Sequence, residues 1–120
     1  MRQHPEQKLQ ESIKQFLDIN IKPELIWYAV PNGGLRNPIV AAKLKAAGVL
    51  PGVPDLHFVL DDGKSAYLEL KSSKGRLSEE QVGFGVKVMA LGHRWAMARD
   101  LDEAIKIFKA WNILKKEVIT

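Results

Sequence analysis

The stretch from Asp55 to Lys71 constrains this chain more than any other. Leu56, Phe58 and Leu60 alternate with Asp55, His57 and Val59, then Asp61-Asp62-Gly63 interrupts, then Ala66, Leu68 and Leu70 alternate again. Two alternating runs around a Gly-terminated turn predict an antiparallel hairpin, with one strand over Leu56 to Leu60 and the next from Ser65 to about Lys71. A two-residue loop at Asp62-Gly63 would pair Leu56 with Glu69 and turn Asp55 to the opposite face. A three-residue loop, Asp61-Asp62-Gly63, pairs Leu60 with Lys64, Phe58 with Ala66, Leu56 with Leu68 and Asp55 with Glu69. The apolar pattern selects the second register, because a slip of one residue would bury carboxylates. One face then carries Leu56, Phe58, Leu60, Ala66, Leu68 and Leu70. The other carries Asp55, His57, Tyr67, Glu69 and Lys71.

The flanking segments read as helices and short strands. Pro5 suits a first helical turn, and Leu9, Ile13, Phe16 and Leu17 follow at helical spacing, predicting a helix from Pro5 to about Asp18. Leu25 to Val30 reads as a strand, stopped by Pro31-Asn32-Gly33-Gly34. Asn37-Pro38 offers an N-cap followed by Pro at N1, and Gly48 a C-terminal stop, around a short basic helix with Lys43 and Lys45. Pro51-Gly52-Val53-Pro54 forces an irregular entry to the hairpin. Ser78 with Gln81 makes a capping box for a helix through about Leu91, closed by Gly92. His93 to Ala98 is a strand. Asp100 with Glu103 caps a last helix whose buried stripe is Leu101, Ile105, Phe108 and Trp111. The expected order is αβαββαβα, with a right-handed crossover between the third and fourth strands. Trp27, Trp95 and Trp111 fall in strand or helix stripes and are expected in the core.

With 120 residues, 46% hydrophobic and 27% charged, the chain is expected to form a single domain over 1–120 around one core. It contains no cysteine, which excludes disulfides, thiol catalysis and thiolate-bound zinc. No apolar run approaches the roughly 18 residues of a membrane-spanning helix, and the N-terminus lacks the apolar core of a signal peptide. A cytoplasmic location is expected. The net charge of +4 permits a nucleic-acid partner without requiring one.

The chemistry-bearing residues are Asp55, Glu69 and Lys71. Two adjacent carboxylates repel unless a cation lies between them, and hard oxygen donors suit Mg²⁺ or Mn²⁺. A lysine on the same face would orient the attacking water or stabilise charge in the transition state. The bland reading is a solvated strand face with cross-strand ion pairs, Asp55 capping a turn after Pro54.

Pro54-Asp55 followed by Glu69-Leu70-Lys71 resembles the PD-(D/E)XK nuclease signature, and the chain as a whole is similar to VRR-NUC (virus-type replication-repair nuclease) domains. Glu6 with Leu9 and Gln10 matches the first helix of that family. Pro31-Asn32-Gly33-Gly34 with Arg36 matches its glycine turn, and Gly48-Val49 with Gly52-Val53-Pro54-Asp55-Leu56 its core motif. Gly75-Arg76-Leu77-Ser78 with Gln81, Phe84 and Gly92 matches the stretch beyond that motif. The resemblance implies an α/β, restriction-endonuclease-like mixed sheet flanked by helices. It implies metal ligation by Asp55, Glu69 and the Leu70 carbonyl, with Glu6 nearby, direct or through water. Lys71 would be the catalytic lysine, and Gln81 would position water or phosphate.

Competing roles stay open for several of these. Gln81 is also the third residue of a capping box, and Glu6 also favours a helix dipole. Asn32, Gly33 and Gly34 could cradle a phosphate or simply turn the chain, while Arg36, Lys74 and Arg76 could contact DNA phosphates. His57 reads as peripheral. The function expected is a Mg²⁺- or Mn²⁺-dependent, structure-selective DNA endonuclease similar to Holliday-junction resolvases. By resemblance it is a small phage-like homodimer, working in a bacterial or phage-infected cell. The alternatives are a non-catalytic DNA-binding module or an accessory protein on the same fold.

Overall fold

The computed structural model describes residues 5–31 and 37–116. The elements follow in the expected order: α1 (Pro5–Asn20), β1 (Ile26–Ala29), α2 (Pro38–Ala46), β2 (Leu56–Val59), β3 (Ser65–Leu70), α3 (Glu79–Ala90), β4 (Arg94–Ala98) and α4 (Leu101–Ala110). Each strand is one or two residues shorter than its alternating run, because pairing ends before the pattern does. In contrast, α1 outlasts its expected end at Asp18. The Asn20 side-chain amide bonds the Phe16 carbonyl at 3.0 Å, and Ile21 then pairs with Leu114.

The sheet runs β1-β2-β3-β4, antiparallel except for the parallel pair β3–β4. The hairpin register is the one the apolar pattern selects: Leu56 faces Leu68 and Phe58 faces Ala66. The turn closes through Leu60 N–H to the Lys64 carbonyl at 2.9 Å. Gly63 takes φ 82°, the left-handed geometry a three-residue hairpin loop needs. Asp62 ties the tip down twice, accepting from the Lys64 amide at 3.0 Å and from Arg94 at 3.1 Å.

One face of the sheet is the core face. Leu56, Phe58, Leu60, Ala66, Leu68, Leu70 and Ala98 are buried there against Ile13 and Leu17 of α1 and Ala104 and Phe108 of α4. Phe58 and Phe108 are fully buried and tilt against each other with centroids 5.6 Å apart. A side chain of that kind is worth about 3–5 kcal/mol against truncation to Ala. Trp27 stacks on Phe58 and Trp111 meets it edge-on, so both join the core as expected. Trp95 lies on the opposite face, under α3. Gly85 of that helix approaches so closely that a β-carbon would stand 2.9 Å from the indole. This contact is what seats α3 on β4, and it leaves part of the second face open for the site. By contrast, α2 is capped by Asn37, which accepts from the Ile39 and Val40 amides, but none of its residues is buried.

Candidate active site

Asp55 is held from two sides. Its carbonyl accepts from the Val30 amide at 2.8 Å, extending the β1–β2 ladder, and its carboxylate accepts from the Leu70 amide at 2.8 Å. In an antiparallel pair the N–H and C=O of one residue leave on the same edge, so the Leu70 carbonyl also lies on the Asp55 side. Glu69, one residue earlier on β3, points to the open face and brings its carboxyl into hydrogen-bond contact with Asp55. Only 4% of Glu69 is exposed. Burial, the Asp55 charge and the hydrogen bond to Asp55 together push the Glu69 carboxyl up to about 8. Burial also raises Asp55, against the opposing pull of the Leu70 amide. Two carboxyls so placed favour a positive charge between or beside them.

Lys71 follows on the same face, its Nζ 3.8 Å from Glu69 and its side chain mostly buried. Gln81 reaches the pair from α3. Its Oε1 accepts from the Ser78 amide at 2.9 Å, closing the capping box, while its Nε2 donates to Glu69 at 3.1 Å. One end of the amide thus serves the cap while the other reaches Glu69. Glu6 stands at the margin, exposed, accepting from the Ser72 amide at 3.4 Å, and its charge adds to the upward push on Asp55 and Glu69. Among the described residues no three His, Asp or Glu side chains gather as a ligand set. The acidic side chains that converge are two. That donor set fits Mg²⁺, which takes one or two carboxylates and completes its shell with backbone oxygen, water and phosphate.

Lys74 and Arg76 are exposed on the loop leaving β3. Asn32, Gly33, Gly34 and Arg36 lie outside the described residues. His57, expected to be peripheral, sits two residues from Asp55 on the same face with both ring nitrogens engaged, by Tyr28 Oη and by Ser65 Oγ. Arg99 is the residue sequence reasoning missed. One of its terminal nitrogens donates to the carbonyls of Ser72 at 2.7 Å and Gly75 at 2.8 Å, with a longer contact to Ser73 at 3.4 Å. It clamps the loop that follows Lys71, and Gly75 in that loop lies against the lysine stem. Its place follows from the register of the parallel pair β3–β4, with Glu69 opposite Met97, which puts Arg99 beside Lys71; neither segment alone records that register.

Comparison with known proteins places this geometry. No family model matches the sequence, and no curated protein does. Among solved structures, a VRR_NUC domain protein superposes with a TM-score of 0.72 over 92% of this chain and 90% of that one, at 16% identity. The chain has a VRR-NUC fold. The restriction-endonuclease-like mixed sheet expected from the sequence is the one observed. The Asp55–Glu69 pair sits at the irregular start of β2 and the end of β3, beside the first turn of α3.

Proposed function

We propose that this chain is a metal-dependent DNA endonuclease that hydrolyses phosphodiester bonds at the Asp55–Glu69–Lys71 face, with residues 1–120 forming one nuclease domain. The observation that carries this reading is a buried Glu69 carboxyl set against the half-buried Asp55, with an ammonium 3.8 Å away and the Leu70 amide bonded to Asp55. A solvated ion-pair face would leave Glu69 exposed, and it is not. Asp55, Glu69 and the Leu70 carbonyl would hold Mg²⁺ or Mn²⁺, which lowers the pKa of a bound water and offsets charge on the phosphoryl oxygens.

The chain's own residues supply the rest. Gln81 fixes the Glu69 carboxylate through its Nε2. Lys71 orients the attacking water and stabilises charge as it develops. Glu6 acts at longer range, through water. Lys74 and Arg76, together with Asn32, Gly33, Gly34 and Arg36, contact DNA phosphates. The enzyme is structure-selective in the manner of a Holliday-junction resolvase, and works as a homodimer in the cytoplasm of a bacterial or phage-infected cell. No helix among the described residues is long and apolar enough to cross a membrane.

The test is a panel of labelled linear, flapped and four-way DNA structures incubated with Mg²⁺, Mn²⁺ or EDTA. Cleavage with either ion and none with EDTA is expected. Cleavage that persists in EDTA, or none under any condition, would overturn the reading. In parallel, Mn²⁺ should raise the melting temperature of the wild type and much less that of Asp55→Ala, since an ion bound only by the folded state stabilises it by mass action. Equal shifts would remove Asp55 from the site.

A further inference from the structure

The open face holds a second feature beside the carboxylates. Tyr28 of β1 pairs with His57 of β2, His57 with Tyr67 of β3, and Tyr67 with Trp95 of β4. Four aromatic rings therefore form one row across the sheet. His57 stacks on Tyr67 with centroids 4.7 Å apart, and Tyr28 meets His57 edge-on at 5.1 Å. The row lies two strand residues from Asp55 and Glu69, about 7 Å along the sheet. Toward β4 it disappears beneath α3. Toward β1 it emerges: among the described residues nothing covers this part of the face, and Ile26, Tyr28 and Val59 are 63%, 49% and 42% exposed.

Aromatic cross-strand pairs support a sheet wherever they occur, so the buried half of the row needs no further role. The exposed end differs. Both nitrogens of His57 are engaged within the protein, leaving it no free atom to ligate a metal or move a proton. What those bonds do is pin Tyr28 by its hydroxyl, so that an exposed ring is presented in one orientation. A neutral aromatic surface has nothing to offer a phosphate, which takes cations, but it matches the face of a base. Bases stacked inside a duplex cannot reach it. An unpaired nucleotide next to the phosphate at the carboxylates can.

Building on the nuclease reading, we propose that Tyr28, seated by His57, stacks an unpaired nucleobase adjacent to the scissile phosphate. The preferred substrate then carries nucleotides beside the cut that are unpaired or can unpair, as at the branch point of a junction. The test uses binding alone, so it stands apart from whether the chain cuts. In a Lys71→Ala background, a four-way junction with 2-aminopurine placed in turn at each branch-point position is titrated with protein. Quenching at one position is expected. Tyr28→Leu should abolish that quenching and weaken binding about tenfold, the size of one base–aromatic stack. Tyr28→Phe, which keeps the ring but loses the bond to His57, should quench at the same position with an affinity between those of the wild type and Tyr28→Leu. The absence of quenching at every position, or equal quenching and affinity in Tyr28→Leu, would overturn the proposal. Quenching in a protein whose wild type cleaves nothing would overturn the nuclease reading and leave the base subsite standing.

Discussion

Glu69 lies against a second carboxyl with almost no water around it, so its proton is held until other positive charge replaces it. That fixes the sign of the pH dependence. Its folded-state value of about 8 is above the ordinary 4.5, so the metal-free native state binds a proton that the unfolded chain releases. The associated stability is complete below about pH 4.5 and is lost as pH rises through 8. Metal-free protein should therefore melt at progressively lower temperature from pH 5 to 9, while Glu69→Gln, neutral throughout, should show a flatter profile. Mg²⁺ affinity should rise over the same window, with proton release on binding, as calorimetry in two buffers of different ionisation enthalpy would show. A pH-independent affinity would mean that the ion does not displace this proton. Lys71 is tested separately. One lysine is a small part of a phosphate-contact surface, so Lys71→Ala should bind DNA nearly as well as wild type yet lose most cleavage, by a factor of about 100 or more. Loss of binding instead would make it a docking residue.

Three elements meet at the site: the hairpin β2–β3, the helix α3 that brings Gln81, and the irregular entry Pro51 to Pro54 that delivers Asp55. Gly52 joins the last two. Its φ is 93°, and a β-carbon there would stand 2.4 Å from the Glu80 carbonyl oxygen in the first turn of α3. Gly48 also has a positive φ, 100°, but a β-carbon there meets nothing within 4 Å. The pair separates backbone strain from crowding. Gly48→Ala should cost only the left-handed penalty, about 1–2 kcal/mol. Gly52→Ala should cost more, and should also impair cleavage, because α3 must move and Gln81 is one residue past the contact. Urea melts with cleavage assays on both variants would check this. Equal losses of stability and activity would show that the loop and helix do not need their close approach.

For the whole molecule, the proposed homodimer and its substrate belong together. Two symmetric cuts across a four-way junction need two sites facing opposed strands, which a two-fold axis provides. Helix α3 carries a stripe at helical spacing, Val82, Val86 and Met89, exposed by 46%, 59% and 49%, with Leu91 beyond it at 76%. An unpartnered apolar stripe is a natural isologous surface. Light scattering should give a dimer mass for the wild type and a monomer for Val86→Glu, and the wild type should prefer junctions over linear duplex at moderate salt, where non-specific phosphate contacts have faded. A strict monomer that cuts both substrates equally would defeat the resolvase reading and leave the endonuclease intact.

Much of this protein is written locally. The hairpin register follows from side-chain alternation and a glycine at the left-handed position, both readable within a few residues. The convergence of Asp55, Glu69 and Lys71 follows from that register. Helix starts at Asn37, Ser78 and Asp100 are likewise local, since a cap needs only its own first turn. What the sequence left open depends on partners distant along the chain. That Gln81 serves its cap and Glu69 at once required α3 to be seated on β4 by the Gly85–Trp95 contact. The parallel β3–β4 neighbours were expected from the crossover, but the Arg99 clamp required their register, and the row from Tyr28 to Trp95 required β1 to pair with β2. Such pairings leave no periodic trace in either segment, because each strand's alternation records which face is buried and not which neighbour it meets. The local pattern determined the acidic face; the packing of α3, β1 and β4 around it decided what the face can hold.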